Sequence, residues 1–283
     1  MDRQKNAPKQ FDPVLQRRVF VIAAILLFGA AFLVWPFFGS DGPTRMFKRT
    51  LAEAESGDRD AQFLVARFYL EGRSGVPPDA DKARQWYAAA YQQDHSGAAN
   101  MLGNMYRYGT GTTVDYQRAI DIYRDAVSLG NIAAENALGE MYYSGQGSAQ
   151  SDQNALRHYR SPAEAGYAPA QRNMAILAFQ GRGRDENPEE AYQWYIKAAT
   201  QEDAIALNNL GIMFEHGQFV ETDKERAHGC YFDALLAGHD KASKGLERLK
   251  DFAQPPVDED RRRYVACVTG EAYTILSRPR LRP

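Results

Sequence analysis

Apolar and small residues recur along most of the chain with the spacing of one face of an α-helix. Over residues 98–106 they fall at positions i, i+4, i+7 and i+8, and Gly109 follows at the point where a helix commonly ends in the left-handed conformation. The arrangement returns every 36 residues. Its most regular positions are the glycines Gly109, Gly145, Gly181 and Gly217 and the tyrosines Tyr123, Tyr159, Tyr195 and Tyr231. A period of this length predicts stacked repeats of two helices each.

A residue whose side chain can cap a helix precedes the second helix of every copy. These residues are Asp79, Asp115, Ser151, Asn187 and Asp223. Side-chain oxygens of Asp, Asn and Ser accept hydrogen bonds from the free N–H groups of a first helical turn. In the fourth copy Glu190 follows Asn187 by three residues, which predicts a reciprocal capping box. In the third copy Pro162 lies inside the second helix and predicts a kink or an early helix end.

Small residues on the first helices predict that the two helices of a pair approach closely. They are Gly103, Gly139, Ala175 and Gly211. Aromatic residues of the second helices, such as Trp194 and Tyr195, are expected to fill the gaps between pairs. Because one pair cannot bury its apolar face alone, the copies must stack. The sequence therefore predicts an all-α solenoid over residues 45–253, with about 36 residues per repeat.

Each end of the repeat array has its own predicted structure. A lone helix over residues 45–56 precedes the first copy, and a half copy over residues 240–253 is expected to cap the last one. The tail, residues 254–283, begins with Gln254-Pro255-Pro256 and is then rich in β-branched and aromatic residues. Three arrangements fit the tail: folding back on the last repeat, pairing as a strand with a partner, or remaining flexible.

The segment from Val19 to Phe38 contains 20 residues without a charge, enough for a helix to cross a hydrocarbon core of roughly 30 Å. A cleavable signal peptide is the alternative, but its apolar region is normally shorter. An uncleaved transmembrane helix over residues 19–38 is therefore favoured. Residues 1–18 carry five Arg or Lys and two Asp, which predicts a cytoplasmic leader. Residues 39–44 then form a linker to a repeat domain in the periplasm of a bacterium, with the helix in the inner membrane.

The overall composition excludes some classes of function. With 44% hydrophobic and 25% charged residues, the chain has the proportions of a folded protein rather than a disordered one. Its formal net charge of -2 offers no basic excess for phosphates, so nucleic acid is not an expected partner. The two cysteines, Cys230 and Cys267, either form one disulfide in an oxidising compartment or remain free thiols, and the sequence leaves both open.

Two sequence patterns resemble those of a known repeat family. Residues 98–111 read Ala-x-x-x-Leu-Gly-x-Met-Tyr-x-x-Gly-x-Gly, and residues 191–199 read Ala-x-x-Trp-Tyr-x-x-Ala-Ala. They resemble the Sel1-like repeat family, which is related to the tetratricopeptide repeat. The resemblance implies a right-handed α-solenoid that acts as an adaptor in signalling, secretion, envelope biogenesis or protein quality control. Bacterial relatives with a disulfide in every repeat bind cell-wall drugs, but this chain lacks the cysteines of that subgroup.

No constellation of residues for catalysis or metal binding is recognisable in the sequence. The five histidines fall at different repeat positions, and no nucleophile has an identifiable base. His228 and Cys230 point apart on a helix, since residues two apart do not share a face. We therefore expect no catalytic residue, no metal ion and no cofactor. The predicted function is a non-enzymatic, membrane-anchored scaffold; the alternative is a cell-wall or polysaccharide-binding protein or an enzyme-like envelope factor.

The inner face of the solenoid is the expected binding surface for a protein or peptide partner. In helix-pair solenoids the first helices are expected to line this face, and polar residues repeat in register on them. The predicted partner-binding residues are Asn100, Asn136, Arg172 and Asn208, joined near the helix ends by Arg107, Tyr108, Tyr143 and Phe179. Side-chain amides can pair with a peptide backbone because they carry both donors and acceptors. The four residues that repeat in register are all expected to be exposed.

Overall fold

The computed structural model describes residues 44–252, 256–258, 261–265, 267–268 and 272–276. Twelve α-helices and three short strands lie within these residues. The helices are α1 Arg45–Glu55, α2 Arg59–Glu71, α3 Ala80–Tyr91, α4 Ser96–Tyr108, α5 Tyr116–Ser128, α6 Ile132–Ser144, α7 Asp152–Glu164, α8 Ala168–Gln180, α9 Pro188–Ala199, α10 Ala204–His216, α11 Lys224–Leu236 and α12 Ser243–Arg248. The described residues up to Ala83 form one compact unit and those from Arg84 form a second.

The predicted leader and transmembrane helix, residues 1–18 and 19–38, lie outside the described residues. Among the residues that are described, no helix is long and apolar enough to span a membrane. The membrane anchor therefore stays a prediction.

The first unit contains the predicted lone helix, which is confirmed as α1. Its N-terminus is capped by the side chain of Thr44, which accepts from the backbone N–H of Phe47 at 3.2 Å. The Phe47 ring is only 2% exposed and packs edge-on against Phe68 and Tyr69 of α2, with ring centroids 5.9 and 5.6 Å apart. Burial of this aromatic cluster joins α1 to α2.

The second unit contains four complete helix pairs, α4–α5, α6–α7, α8–α9 and α10–α11. The predicted caps are confirmed: the side chain of Asp115 accepts from the N–H of Arg118 at 3.0 Å, and Ser151, Asn187 and Asp223 bind their helices in the same way. The first helices end at glycines in the left-handed conformation, as at Gly109 with φ 71°. The all-α prediction is thus confirmed for the repeats.

The reciprocal capping box expected at α9 does not form. The backbone N–H of Asn187 donates to the carbonyl of Ala178 at 2.8 Å, so it does not need a bond from Glu190. The Glu190 carboxylate instead binds the guanidinium of Arg184 and the indole N–H of Trp194. A nearby arginine, which the local capping pattern does not include, outcompetes a single backbone N–H for the carboxylate.

The two helices of a pair approach closely where a tyrosine ring lies on a glycine. A Cβ added to Gly103 would lie 2.6 Å from the ring of Tyr123, and one added to Gly139 would lie 2.5 Å from the ring of Tyr159. These distances leave no room for a methyl group. The predicted close approach is therefore confirmed. The tyrosines, which were expected between pairs, also pack within their own pair.

The second helix of the third copy, α7, continues through Pro162 and ends at Glu164, so the expected early end is wrong. Proline removes one backbone donor, but Pro162 lies in the last turn of the helix. The N–H of Ala165 still donates to Ser161 at 3.0 Å, and that of Tyr167 to Pro162 at 2.9 Å. The turn is therefore held by its neighbours' hydrogen bonds.

The predicted C-terminal half copy is broken into short pieces rather than one helix. A 3₁₀ turn over Asp240–Ala242 leads into α12, and a second 3₁₀ turn covers Lys250–Phe252. Beyond it, the strands β1 Pro256–Asp258, β2 Arg261–Val265 and β3 Ala272–Leu276 form an antiparallel sheet in the order β1-β2-β3. The chain is therefore all-α in its repeats only.

Residues 267–268 of the tail fold back on the last complete helix pair. Cys267 forms a disulfide with Cys230 of α11, with the two Cα atoms 4.3 Å apart. The guanidinium of Arg226 donates to the carbonyls of Cys267 and Val268 at 2.9 and 2.8 Å. Of the three arrangements considered for the tail, the structure thus supports the first, and the two cysteines are bridged.

Candidate partner-binding surface on the first helices

Polar contacts join consecutive first helices in the second unit. Arg107 of α4 binds Glu140 of α6 at 2.8 Å, and Asn173 of α8 donates to Asn136 of α6 at 3.0 Å. These bonds place α4, α6 and α8 in a row, and Arg172 of α8 extends it by binding Asp203, the N-cap of α10, at 2.8 Å. We call the accessible part of that row the first-helix surface and define it by Asn104, Glu140, Tyr143, Asn173, Ile176 and Asn209, none of which is fully buried.

The three asparagines among the predicted partner-binding residues, Asn100, Asn136 and Asn208, differ in how accessible they are. Asn100 and Asn208 are half-buried, whereas Asn136 is only 4% exposed. The expected exposure is therefore wrong for Asn136. Its amide donates to Glu140 at 3.0 Å, and its carbonyl oxygen accepts from Asn173. The side chain joins two helices and has little surface left for a partner.

The side chain of Arg172 also forms an ion pair within the chain. Its guanidinium donates to the carboxylate of Asp203 at 2.8 Å, and the two side chains are 17% and 8% exposed. Asp203 caps α10 as well, accepting from the N–H of Ala206 at 2.9 Å. An ion pair this enclosed is costly to break from one side. Arg172 therefore positions α10 in this structure.

Among the residues predicted near the helix ends, Tyr108 is the most open, with 60% of its surface exposed. Arg107 is only 8% exposed and binds Glu140 and Gln146. Burial alone would lower the pKa of Arg107, but the hydrogen bond and charge of Glu140 outweigh it and raise that pKa above its usual value.

Tyr143 and Phe179 are half-buried. The guanidinium of Arg182 lies over the Tyr143 ring, 3.9 Å from its centroid, and is held there by the carboxylate of Asp152 at 2.6 and 3.0 Å. Phe179 packs against the apolar cluster that α9, α10 and α11 share. Both therefore border the first-helix surface while helping to hold the repeats together.

Tyr123, Tyr159, Tyr195 and Tyr231, which recur every 36 residues, are called the ladder tyrosines. Three of them contribute hydroxyl groups to the same surface. The hydroxyl of Tyr123 donates to Asn104 at 2.6 Å, Asn209 donates to that of Tyr195 at 3.1 Å, and that of Tyr231 donates to Glu215 at 2.5 Å. From the sequence, aromatic residues of the second helices were expected only to fill the gaps between helix pairs. The regular spacing of the tyrosines indicates that they share a position in the repeat, but the partners of their hydroxyl groups depend on which side chain the first helix carries in each copy.

A small pocket opens on the first-helix surface between α6 and α8. Its volume is about 150 Å³, and it is lined by Glu140, Tyr143, Tyr159, Asn173 and Ile176. Only Tyr143 of these residues was predicted from sequence to bind a partner. The others were missed because the pocket depends on two neighbouring repeats together.

A larger cleft of about 700 Å³ lies at the start of α11. Its walls include Tyr192, Phe214 and Phe252, and Arg226 lies over the Phe214 ring at 4.3 Å. Next to it Phe219 occupies the repeat position of Gly111, Gly147 and Gly183 and has a φ of 68°. A left-handed phenylalanine is uncommon.

Across the described part of the chain, no group of three His, Cys, Asp or Glu side chains is arranged to hold a metal ion. His228 is buried and Cys230 is in the disulfide.

Comparison with known proteins gives the repeats a family. The Sel1 repeat model matches residues 59–95, 96–131, 132–167, 168–203 and 204–239, and each match from residue 96 onward contains one complete helix pair of the second unit. A search of curated proteins found no match.

Two of the solved structures that are similar to this one carry the comparison. The first is a protective antigen present in uropathogenic Escherichia coli strains with an SLR fold, which is 29% identical with a TM-score of 0.64 over 72% of this chain. The match covers 43% of that protein, so this chain spans less than half of its length. The second is a Sel1 repeat protein from Oxalobacter formigenes, also 29% identical with a TM-score of 0.64, over 69% of this chain and 79% of that one. With five matched repeats and these two structural relatives, the chain belongs to the Sel1 repeat family.

Proposed function

We propose that the protein is a non-catalytic scaffold, anchored in a bacterial inner membrane by residues 19–38, that binds a protein or peptide partner through the first-helix surface. Sel1-repeat proteins are generally protein-interaction scaffolds. The observation that carries the proposal is the row of half-buried polar and apolar side chains, from Asn104 on α4 to Asn209 on α10, that continues over four consecutive first helices.

The surface has the composition that a peptide needs. Amide and carboxylate groups such as Asn173 and Glu140 provide hydrogen bonds to a backbone, and Ile176 provides apolar area beside them. Half-buried side chains are already ordered by their neighbours, which lowers the entropy that a partner must overcome on binding. The row therefore suits an extended segment better than a single small molecule.

The disulfide supports a location outside the cytoplasm. Disulfides persist in oxidising compartments such as the periplasm and are rare in the cytosol. The bond between Cys230 and Cys267 agrees with the orientation predicted by the basic leader, in which the repeats follow an anchor that ends near Phe38. Reporter fusions after residue 252 that are active only in the periplasm test this orientation.

Site-specific photo-crosslinking in native membranes tests the binding surface. A benzophenone amino acid replaces Tyr108, which is 60% exposed at the end of the first helix α4. The matched control replaces Gln193, which is exposed on the second helix α9. We expect a discrete crosslinked product from position 108 and none from position 193. The same product from both positions, or only from position 193, would contradict the proposal.

A second candidate function is binding of cell-wall polysaccharide in the cleft at the start of α11. The cleft combines exposed ring area at Phe252 with the carboxylate of Glu225, and sugars present both apolar faces and hydroxyl groups. Cosedimentation of the full-length chain with purified peptidoglycan, compared between the wild type and Phe252→Ala, tests it. Weaker cosedimentation of the variant is the expected result for this second function.

A further inference from the structure

The hydroxyl group of Tyr159 is used differently from those of the other ladder tyrosines. Tyr123, Tyr195 and Tyr231 all form hydrogen bonds with first-helix side chains. Tyr159 is 2% exposed, yet no group in the described part of the chain donates to or accepts from its hydroxyl. The residue lines the pocket between α6 and α8. A polar atom on an otherwise buried side chain normally has a partner.

The repeat register shows which partners Tyr159 should have had. Asn104 binds Tyr123, and the position 36 residues later is Glu140. Asn209 binds Tyr195, and the position 36 residues earlier is Asn173. Both Glu140 and Asn173 line the pocket, so the expected partners are present but make other contacts.

Asn136 and Arg107 hold those two partners. The Glu140 carboxylate accepts from Arg107 at 2.8 Å and from Asn136 at 3.0 Å, and the Asn173 amide donates to Asn136 at 3.0 Å. A carboxylate prefers a charged donor over a neutral hydroxyl, which explains why Glu140 turns to Arg107. The hydroxyl of Tyr159, a residue that lines the pocket, is left without either of these partners.

The charges around the pocket oppose an ionic ligand. Glu140 repels an acid, while Arg107 on Glu140 and Arg182 over the ring of Tyr143 repel a cation. The carboxylate oxygens of Glu140 retain lone pairs for a further donor, and the Tyr159 hydroxyl can donate. Ile176 adds an apolar wall. A neutral group with both donors and an acceptor satisfies these conditions.

We propose that the pocket receives the carboxamide of a glutamine or asparagine side chain of the partner peptide. The NH₂ group donates to Glu140, and the carbonyl oxygen accepts from the hydroxyl of Tyr159. A volume of about 150 Å³ admits one side chain and excludes a folded element. This inference rests on the proposed function for the source of the amide, but the preference of the pocket can be measured without a peptide.

The first experiment uses small probes and the full-length chain in detergent micelles, labelled with 3-fluorotyrosine. Propionamide, sodium propionate and propylammonium chloride are titrated in turn, and the fluorine resonance of Tyr143, assigned with Tyr143→Phe, reports binding. We expect saturable binding of propionamide only. Tyr159→Phe should weaken that binding roughly three- to tenfold, the value of one neutral hydrogen bond. Tyr123→Phe, the same change outside the pocket, should leave it unchanged.

Equal binding of propionate or propylammonium, or an amide affinity that Tyr159→Phe does not alter, would overturn the inference. The phenylalanine ring keeps the contact with Gly139, and a thermal unfolding curve of each variant shows that the fold is retained. A variant that did unfold would be replaced by Ile176→Trp, which fills the pocket from its apolar wall and should abolish propionamide binding.

The second experiment identifies peptides that bind the first-helix surface. A random linear peptide library displayed on phage is selected on the full-length chain, and the selected peptides are measured against Tyr159→Phe and against Gln193→Ala, a change on the exposed face of the second helix α9. We expect one fixed Gln or Asn in the enriched sequences and an affinity loss with Tyr159→Phe alone. Peptides that bind the first-helix surface without a carboxamide would overturn this inference and leave the proposed function standing. Propionamide binding with no enriched peptide would contradict the proposed function and the peptide source of the amide.

Discussion

The carboxylate of Glu215 accepts two hydrogen bonds from the guanidinium of Arg248, at 2.9 and 2.8 Å. The pair joins the end of α10 to α12, and the hydroxyl of Tyr231 adds a third bond to the same carboxylate. The hydrogen bond from Arg248 is the largest influence on the carboxyl group and lowers the pKa of Glu215 to about 2. The short C-terminal helix is thus held to the last complete pair by charge as well as by packing.

This pair predicts a pH-dependent loss of stability. Because the pKa of Glu215 is lower in the folded state, its contribution is complete above the unfolded pKa of about 4.3 and is lost as the pH falls through about 2. Arg248→Ala should lower the free energy of unfolding by about 1 kcal/mol at pH 7, a value discounted because Arg248 is half exposed. The difference from wild type should shrink between pH 5 and pH 2 in urea titrations followed by circular dichroism. Lys250→Ala, whose partner Glu247 is exposed, should change little at any pH.

The ladder tyrosines predict unequal costs for the same substitution. Tyr123→Phe removes the hydrogen bond to Asn104 and should lower the free energy of unfolding by about 0.5–1.5 kcal/mol. Tyr159→Phe removes a hydroxyl that has no partner among the described residues and should cost close to nothing. Urea titrations of the two variants compare them directly. Equal losses would show that the hydroxyl of Tyr159 is bonded after all.

The repeats were predictable because their signals are local and periodic. Caps such as Asp115, helix-ending glycines such as Gly109 and the ladder tyrosines depend on neighbours in their own copy, so each copy repeats the same evidence. Asn136 was not predictable in this way. It shares a register with Asn100, but its burial follows from Glu140 and Asn173, which differ from copy to copy.

The disulfide and the tail depend on contacts that no local pattern contains. Cys230 and Cys267 are 37 residues apart in sequence. The carbonyl of Val268 is held by the guanidinium of Arg226, which lies 42 residues earlier, on α11. Composition alone left the tail with three arrangements. The disulfide and the hydrogen bonds from Arg226 to the carbonyls of Cys267 and Val268 distinguish them.

The bridge between Cys230 and Cys267 predicts the behaviour of both thiols and of the tail. Protein isolated without reductant should contain no thiol that reacts with a maleimide reagent after denaturation. The double change Cys230→Ala and Cys267→Ala should destabilise the docked tail by about 2–4 kcal/mol, the usual value for a native disulfide. Hydrogen exchange should then accelerate in residues 261–265 and 272–276, while α4 and α5 keep their protection. Two reactive thiols in the isolated wild type would contradict both the bridge and the proposed compartment.

The contact between Gly139 and Tyr159 predicts the cost of one methyl group inside a helix pair. Alanine normally favours a helix by about 1 kcal/mol over glycine, but a Cβ at position 139 would lie 2.5 Å from the tyrosine ring. Tyr159 is 2% exposed, and its ring lies directly on Gly139, between α6 and α7. The clash should therefore dominate, and Gly139→Ala should lower the free energy of unfolding by about 1–3 kcal/mol, as overpacked cores do. The pair α8–α9 already has Ala175 at this position, so the reverse change, Ala175→Gly, should lose helix stability without relieving any strain. Urea titrations of both variants, with Ser144→Ala as an exposed control on α6, provide the comparison. An increase in stability for Gly139→Ala would mean that α6 and α7 can separate by the width of a methyl group.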